Sequence, residues 1–249
     1  MISRNSSRIS AVAEVFAFVF SVLLAGLTAG AQALSVLPVN IFFMPGQRAT
    51  SLTVTNQGKS KTAIQIRAYA WNQKGDDDQL AASSDVVLSP PLARIAPGAT
   101  QVIRLILRQT PEKREVTYRI LIDQIPPPAE PGVVHVVLRL SIPIFVKPAI
   151  RAFPDVQFHM ERDAEHIYLV AINAGNLHEA IRDIVLTTSD GRKLKLESGA
   201  SPYVLSGSTR RWRIATQDNS LPLQAETLQL TARADAGAIE QQVRFVIAR

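Results

Sequence analysis

The side chains that could perform catalysis form no recognised catalytic pattern in this sequence. It has no cysteine, which excludes thiol nucleophiles and thiolate metal sites. The serines lack the G-x-S-x-G turn of esterases, and the carboxylates are scattered along the chain. None of the four histidines has an H-E-x-x-H or comparable ligand spacing; they are His135, His159, His166 and His178. The sequence therefore argues against a hydrolase or metalloenzyme, and we predict no catalytic residue, no metal site and no cofactor.

One segment has the pattern of a binding element instead. After the prolines at 126–128, apolar side chains occupy alternate positions, and successive side chains of a strand point to opposite faces of a sheet. The resulting row consists of Val134, Val136, Leu138, Leu140 and Ile142. Such a row normally covers the core of its own domain, but it can also be lent to a partner that lacks a strand. We expect Ile142, nearest the end of the domain, to remain in the core.

The elements that must position this row are strands. Short alternating segments separated by turn residues follow one another after residue 33, and none has a long helical stripe with caps. The pattern predicts strands at 51–55, 63–71, 86–88, 101–107, 116–125, 133–148, 167–172, 181–187, 193–196, 211–214, 227–232 and 241–247. Strands at this spacing indicate β-sandwiches. The acidic run after Gly75 is predicted to be a solvated turn, because it lacks the spaced ligands of a calcium loop.

The N-terminus has the three parts of a secretory signal peptide. Arg4 and Arg8 precede an apolar run at 15–27, and Ala31 and Ala33 form a small-residue cleavage site. A membrane anchor is the competing interpretation, but a span takes roughly 20 apolar residues and this run is shorter. We therefore predict export, cleavage after residue 33 and no stable membrane insertion. The remaining 216 residues are enough for two domains, predicted at 34–148 and 149–249.

The charge distribution does not suggest a nucleic-acid partner. The net charge is +6, and the lysines and arginines are scattered rather than gathered into a basic run. A soluble, mildly basic surface explains this composition better than nucleic-acid binding does.

Several segments resemble the periplasmic pilus chaperones, which assemble fimbriae by the chaperone–usher route. The most specific feature is a fixed order of turn and strand residues, namely Pro91, Pro97, Gly98, Gln101 and Arg104. The segments 118–127 (YRILIDQIPP) and 144–148 (IFVKP) add to the resemblance. In the second half, residues 203–212 (YVLSGSTRRW) resemble the archaic branch of the family.

The resemblance implies a fold, a location and partners. It implies two immunoglobulin-like β-sandwich domains set at an angle, working in the periplasm with pilin subunits and an outer-membrane usher. A pilin is a sandwich that lacks its last strand, and the chaperone lends one of its own to fill the groove. The lent side chains would be Val134, Val136, Leu138 and Leu140. The alternative is an exported adhesion or scaffold protein in which the same row stays buried.

The resemblance also directs attention to charged residues. The conventional branch grips the subunit's terminal carboxylate with an arginine and a lysine, but Asn40 and Pro143 occupy those positions here. A different cation must then hold the carboxylate. The first candidate is Arg119, on the strand beside the lent strand, and the second is Arg104. A solvated arginine on a sheet face remains the alternative for Arg119.

A charged network that fixes the two domains is a further expectation from the family. The matching residues are Glu115, Lys147 and Asp235, with the lysine between two carboxylates.

Overall fold

The computed structural model describes residues 34–75, 77–128, 131–132, 135–163, 166–197, 201–215 and 227–246. All of the regular secondary structure in these ranges is β-strand, which confirms the all-β fold class. Within the same ranges no helix is long and apolar enough to cross a membrane. The predicted signal peptide, residues 1–33, lies outside the described residues.

Ten strands form the first half of the described chain. They are β1 (Leu34–Leu37), β2 (Ile41–Phe43), β3 (Ala49–Asn56), β4 (Thr62–Lys74), β5 (Asp77–Ala82), β6 (Val86–Ser89), β7 (Leu92–Ile95), β8 (Thr100–Leu107), β9 (Val116–Ile125) and β10 (Arg139–Val146). One sheet has the order β1-β3-β8-β6, and the other has the order β2-β10-β9-β4-β5 with β7 also paired to β4.

The two sheets of the first half face each other across one apolar core. The alternation of β8 shows how the sequence builds it: Ile103 and Leu105 are fully buried, while the alternating Val102 and Arg104 point outward. Ile120 and Ile122 of β9 fill the core from the opposite sheet. The outward face of the second sheet therefore carries the odd-numbered residues of β9, among them Arg119.

Nine strands form the second half. They are β11 (Val156–Arg162), β12 (Ile167–Asn173), β13 (Glu179–Ala180), β14 (Arg182–Thr187), β15 (Lys193–Leu196), β16 (Tyr203–Val204), β17 (Thr209–Ala215), β18 (Leu228–Ala234) and β19 (Gly237–Val243). Seven of them form one sheet in the order β11-β12-β17-β15-β14-β18-β19, and β13 pairs with β16.

The large sheet of the second half folds over its own core. Its first strand meets the end of the chain, because Met160 and Phe245 form a parallel bridge. Trp212 and Leu230, from different strands, are buried inside. The first core ends at Val146 and the second begins with the half-buried Val156, which confirms the predicted architecture of two β-sandwiches.

Candidate functional site

The apolar row predicted from the sequence is divided between the core and the surface. Ile142 is 6% exposed and belongs to the first core, and Leu140 is half-buried against it. Leu138 is half-buried, whereas Val136 is 82% exposed. Val134 lies outside the described residues. The outer end of the row thus carries an apolar side chain that the folded chain leaves in water.

The strand that carries this row has an open edge. One edge of β10 pairs with β9 along its whole length, from Arg139 to Val146. The other edge pairs with β2 only at Ile144, Phe145 and Val146. No described strand pairs with Arg139–Pro143 on that second edge. Unpaired main-chain groups of this kind are a template for a strand from another chain.

The sequence-based prediction that the strand begins at residue 133 is wrong. The ladder begins at Arg139, and residues 135–138 are not in a strand. Beyond Ile125 the neighbouring strand gives way to Pro126, Pro127 and Pro128, which have no N–H to donate to a ladder. Residues 135–137 therefore have no pairing partner on that side.

Gln124 of β9 forms hydrogen bonds with Leu138, the residue directly before β10. Its backbone N–H donates to the carbonyl of Leu138 at 2.9 Å, and its side-chain Oε1 accepts from the Leu138 N–H at 3.3 Å. Its Nε2 donates to Thr62 Oγ1 at 3.0 Å, so the side chain is itself fixed. Both main-chain groups of Leu138 are therefore hydrogen-bonded, directly after the unpaired residues 135–137.

A charged group fixes the first residue of β10. Asp123 accepts hydrogen bonds from Arg139 Nε and, at 2.6 Å, from Arg67 Nη2. Burial alone would raise the pKa of Asp123, but the hydrogen bonds from the two arginines outweigh it and hold the pKa below its ordinary value. The start of the strand is thus tied to β9 and β4 by ionised groups at neutral pH.

Arg119, the first candidate anchor, lies on the outward face of the same sheet, opposite Pro143 in the register. Its guanidinium carbon is 3.7 Å from the centre of the Trp71 ring, and Nη1 donates to Ser141 Oγ at 3.3 Å. The side chain is only 14% exposed. Burial lowers the pKa of Arg119, although the field of Asp78 opposes that change. An arginine nevertheless stays charged at neutral pH, so this is a partly buried cation rather than a solvated one.

Asp78, which no sequence pattern singled out, joins this cation to the second sandwich. Its Oδ2 accepts from Arg119 at 3.4 Å, and its Oδ1 accepts from Arg210 of β17 at 3.0 Å. The prediction of a solvated turn is therefore wrong for this residue, since Asp78 belongs to β5 and pairs with both arginines. No periodicity marked it, because all six residues of β5 are exposed.

The surroundings of Asn40, Pro143 and Arg104 differ from those of Arg119. Asn40 Oδ1 accepts from the Tyr203 hydroxyl at 3.2 Å, so this position contacts the second sandwich. Pro143 is buried beside Arg119. Arg104 projects from the outward face of the other sheet of the first sandwich, so the core separates it from Arg119.

Glu115, Lys147 and Asp235 do not come together as one network. Glu115 is fully buried and pairs with His178, whose Nδ1 lies 2.7 Å from Oε2. Asp235 pairs instead with Arg182 at 2.6 Å, inside the second sandwich. Neither carboxylate forms an ion pair with Lys147, although all three residues are described. Of the three, Glu115 makes the contact between sandwiches.

Aromatic rings form the floor of the cleft in which Arg119 lies. Trp71, Phe145 and Leu205 are buried together, with Tyr203 packed against them. The His178 ring stacks on Phe145 with 3.6 Å between centroids. These contacts join residues of both sandwiches, so the two halves meet through an apolar floor with Arg119 at its margin.

Gln73 of the first sandwich forms hydrogen bonds with the backbone of the second sandwich beside this apolar floor. Its Nε2 donates to the Tyr203 carbonyl at 2.8 Å, and its Oε1 accepts from the Leu205 N–H at 2.9 Å. The side chain is buried, so neither contact can readily be replaced by water. Nothing in the sequence pattern singled out this glutamine.

Comparison with known proteins identifies the first sandwich. Residues 33–151 match the family described as the PapD N-terminal domain of pili and flagellar-assembly chaperones. The chaperone protein FimB/FhaD of Bordetella pertussis is 28% identical over 142 residues, which cover 51% of this chain and 55% of that protein. The chaperone protein PapD of Escherichia coli is 26% identical over 112 residues, covering 43% and 45%. The matched part thus spans about half the length of these two relatives.

A solved structure matches across both sandwiches. It is a chain from the CsuC–CsuE chaperone–tip adhesion subunit pre-assembly complex of the archaic chaperone–usher Csu pili of Acinetobacter baumannii. The TM-score is 0.64 at 22% identity, and the match covers 86% of this chain and 100% of that chain. The fold is therefore that of the chaperone–usher chaperones. The first sandwich, at residues 33–151, belongs to the PapD N-terminal domain family of pili and flagellar-assembly chaperones.

Proposed function

We propose that this protein is a non-enzymatic periplasmic chaperone that caps pilin subunits by donor-strand complementation and delivers them to an outer-membrane usher. One observation carries the proposal: a single apolar row begins in the first core at Ile142 and ends in water at Val136, along a strand with an open edge. A row that served only its own core would not continue into solvent.

The physics of an incomplete sandwich explains why such a row would bind. A pilin without its last strand exposes core side chains and an unpaired sheet edge. The open edge of β10 can complete the sheet through main-chain hydrogen bonds, while Val134, Val136, Leu138 and the outer part of Leu140 fill the pockets. Each apolar side chain removed from water contributes roughly 1.5–3 kcal/mol before ordering costs. Replacement by the next subunit's own strand would release the pilin without any nucleotide.

Arg119 is the cation we assign to the subunit's terminal carboxylate. It is a partly buried guanidinium that lies over the Trp71 ring beside Pro143, one strand away from the lent row. A guanidinium offers a carboxylate two parallel donors, which a lysine does not. The position of Arg104 on the other sheet makes it the weaker candidate. The uncharged Asn40 and Pro143 support a place in the archaic branch.

The proposal assigns each part of the chain a task. Residues 1–33 direct export, 34–148 form the domain with the lent strand, and 149–249 form the second wall of the cleft. Buried contacts between the halves, above all those of Glu115 with His178 and of Gln73 with Leu205, support a fixed cleft.

Co-expression with candidate pilins tests the proposal. The chain and a pilin encoded beside it would be produced together, and a tagged chaperone would be purified from the periplasmic extract. We expect a stable one-to-one complex and a pilin that aggregates or is degraded when produced alone. A chain that folds but captures none of the neighbouring pilins would favour the adhesion or scaffold alternative.

A further inference from the structure

The two sandwiches share a single carboxylate at the edge of the cleft. Arg119 of the first sandwich and Arg210 of the second both contact Asp78. Both arginine side chains are largely buried, at 14% and 6% exposed, and Asp78 is 29% exposed. Two cations thus converge on one anion, which leaves the group with a net charge of about +1 at neutral pH.

The two oxygens of Asp78 are held with unequal strength. Oδ1 accepts from Arg210 at 3.0 Å and from Gln73 Nε2 at 3.1 Å. Among the described residues, the one polar contact of Oδ2 is that of 3.4 Å with Arg119. That contact exceeds the usual length of a charge-assisted hydrogen bond, so it is the weaker of the two attachments.

The arginines in turn are under-satisfied. The two hydrogen bonds of Arg119, to Ser141 and Asp78, are 3.3 and 3.4 Å long. Arg210 Nε is buried without a hydrogen-bond partner. A guanidinium has five N–H donors, and buried donors normally have acceptors. The group therefore has both the charge and the spare donors to accept one more carboxylate.

We propose that Asp78 is a resident counter-ion that occupies Arg119 in the free protein and yields it to a ligand carboxylate, while remaining bound to Arg210 and Gln73. This inference rests on the proposed role of Arg119 as carboxylate anchor. Asp78 compensates the largely buried charge when no subunit is bound, because an unpaired buried cation is costly. The same contact competes with the ligand, so it weakens the anchor and eases release.

An acetate titration tests the competition without any pilin. The 15N-labelled Nε resonance of Arg119 is followed while sodium acetate replaces sodium chloride at constant ionic strength. Asp78→Asn should tighten acetate binding at Arg119 roughly three- to fivefold, since it removes a competing charge contact. Asp77→Asn is the matched control, because it removes the same charge from the neighbouring residue, which forms no ion pair with any described residue. An unchanged or weaker affinity in Asp78→Asn would overturn the inference.

A measurement on the unmodified protein covers the case in which Asp78→Asn does not fold. The side-chain carboxyl carbon resonance of Asp78 should move with acetate and reach its midpoint at the same concentration as Arg119 Nε. A resonance that stays still while Arg119 responds would show that Asp78 does not yield. These outcomes do not decide the proposed function, because strand donation could operate whether or not acetate displaces Asp78. Pilin capture tests strand donation directly.

Discussion

At the scale of single residues, a partly buried cation lies at the margin of the cleft between the two sandwiches. Arg119 lies over the Trp71 ring, while the neighbouring Pro143 and the more distant Asn40 carry no charge. Asn40 instead accepts a hydrogen bond from Tyr203, so it serves the contact between sandwiches. Arg119, on the strand beside the proposed lent strand, is therefore the cation that we propose as the anchor.

Removing this charge should weaken subunit capture far more than changing the two uncharged positions. We expect Arg119→Ala to cost roughly 3–5 kcal/mol of binding, because a buried carboxylate loses its partner. Asn40→Ala should cost much less, and Arg119→Lys should fall between them, because it keeps the charge but loses the planar fork. The measurement is the yield of chaperone–pilin complex at equal expression. Capture by Arg119→Ala at the level of the unmodified protein would mean that the carboxylate is held elsewhere.

At the scale of elements, strands were predicted well where local sequence marks both ends of the strand and one apolar face. β9 and β15 have the predicted bounds, because each is an alternating segment between clear turn signals. Alternation failed at 135–137, where side chains alternate but the three prolines cannot supply the N–H groups of a ladder. It also missed β5, because an exposed edge strand has no apolar face to detect.

The candidate site was predictable only in part for the same reason. The apolar row and Arg119 are visible as local patterns or through the family resemblance. Gln73 and Asp78 face each other across the β4–β5 hairpin, but Arg210 meets them only because β17 lies close in space. Contacts between residues more than 130 positions apart leave no trace in a single sequence.

The start of β10 should depend on pH through Asp123. The folded pKa of this carboxyl lies below its unfolded value, so its contribution is complete above about pH 4 and is lost as the pH falls through the folded pKa. We expect Asp123→Asn to reduce the free energy of unfolding at pH 7 by about 1 kcal/mol or less. Denaturant titrations between pH 7 and pH 3 should show this difference shrinking below about pH 4. A difference that is constant with pH would mean that the ion pairs do not stabilise the strand.

At the scale of the whole molecule, the cleft has a fixed shape only if the sandwiches are coupled. Gln73 supplies much of that coupling through its two hydrogen bonds to Tyr203 and Leu205. Gly207, at a φ of 68°, adds a close approach, since a Cβ there would lie 1.9 Å from Arg114 Nη1. Polar contacts of this kind fix geometry more than they add stability.

Removing the side chain of Gln73 should weaken the coupling between the two sandwiches. Gln73→Ala leaves the buried Leu205 N–H without an acceptor, so we expect the free energy of unfolding to fall by roughly 1–3 kcal/mol. Calorimetry should show the single transition broadening or splitting as the sandwiches unfold separately. The matched control is Gln101→Ala, whose side chain bonds only within the first sandwich on an exposed strand. Equal stability and one sharp transition for both variants would show that Gln73 does not couple the halves.

Capture of a pilin by Val136→Asp is the most direct test of strand lending. A carboxylate at this position would be left unpaired in the apolar groove, so we expect the yield of complex to fall roughly tenfold or more. Val102→Asp is the control, because Val102 is 45% exposed on the other sheet, where an added charge should leave capture unchanged. Both variants should unfold at the temperature of the unmodified protein, since both valines lie at the surface. Normal capture by a folded Val136→Asp protein would contradict strand lending.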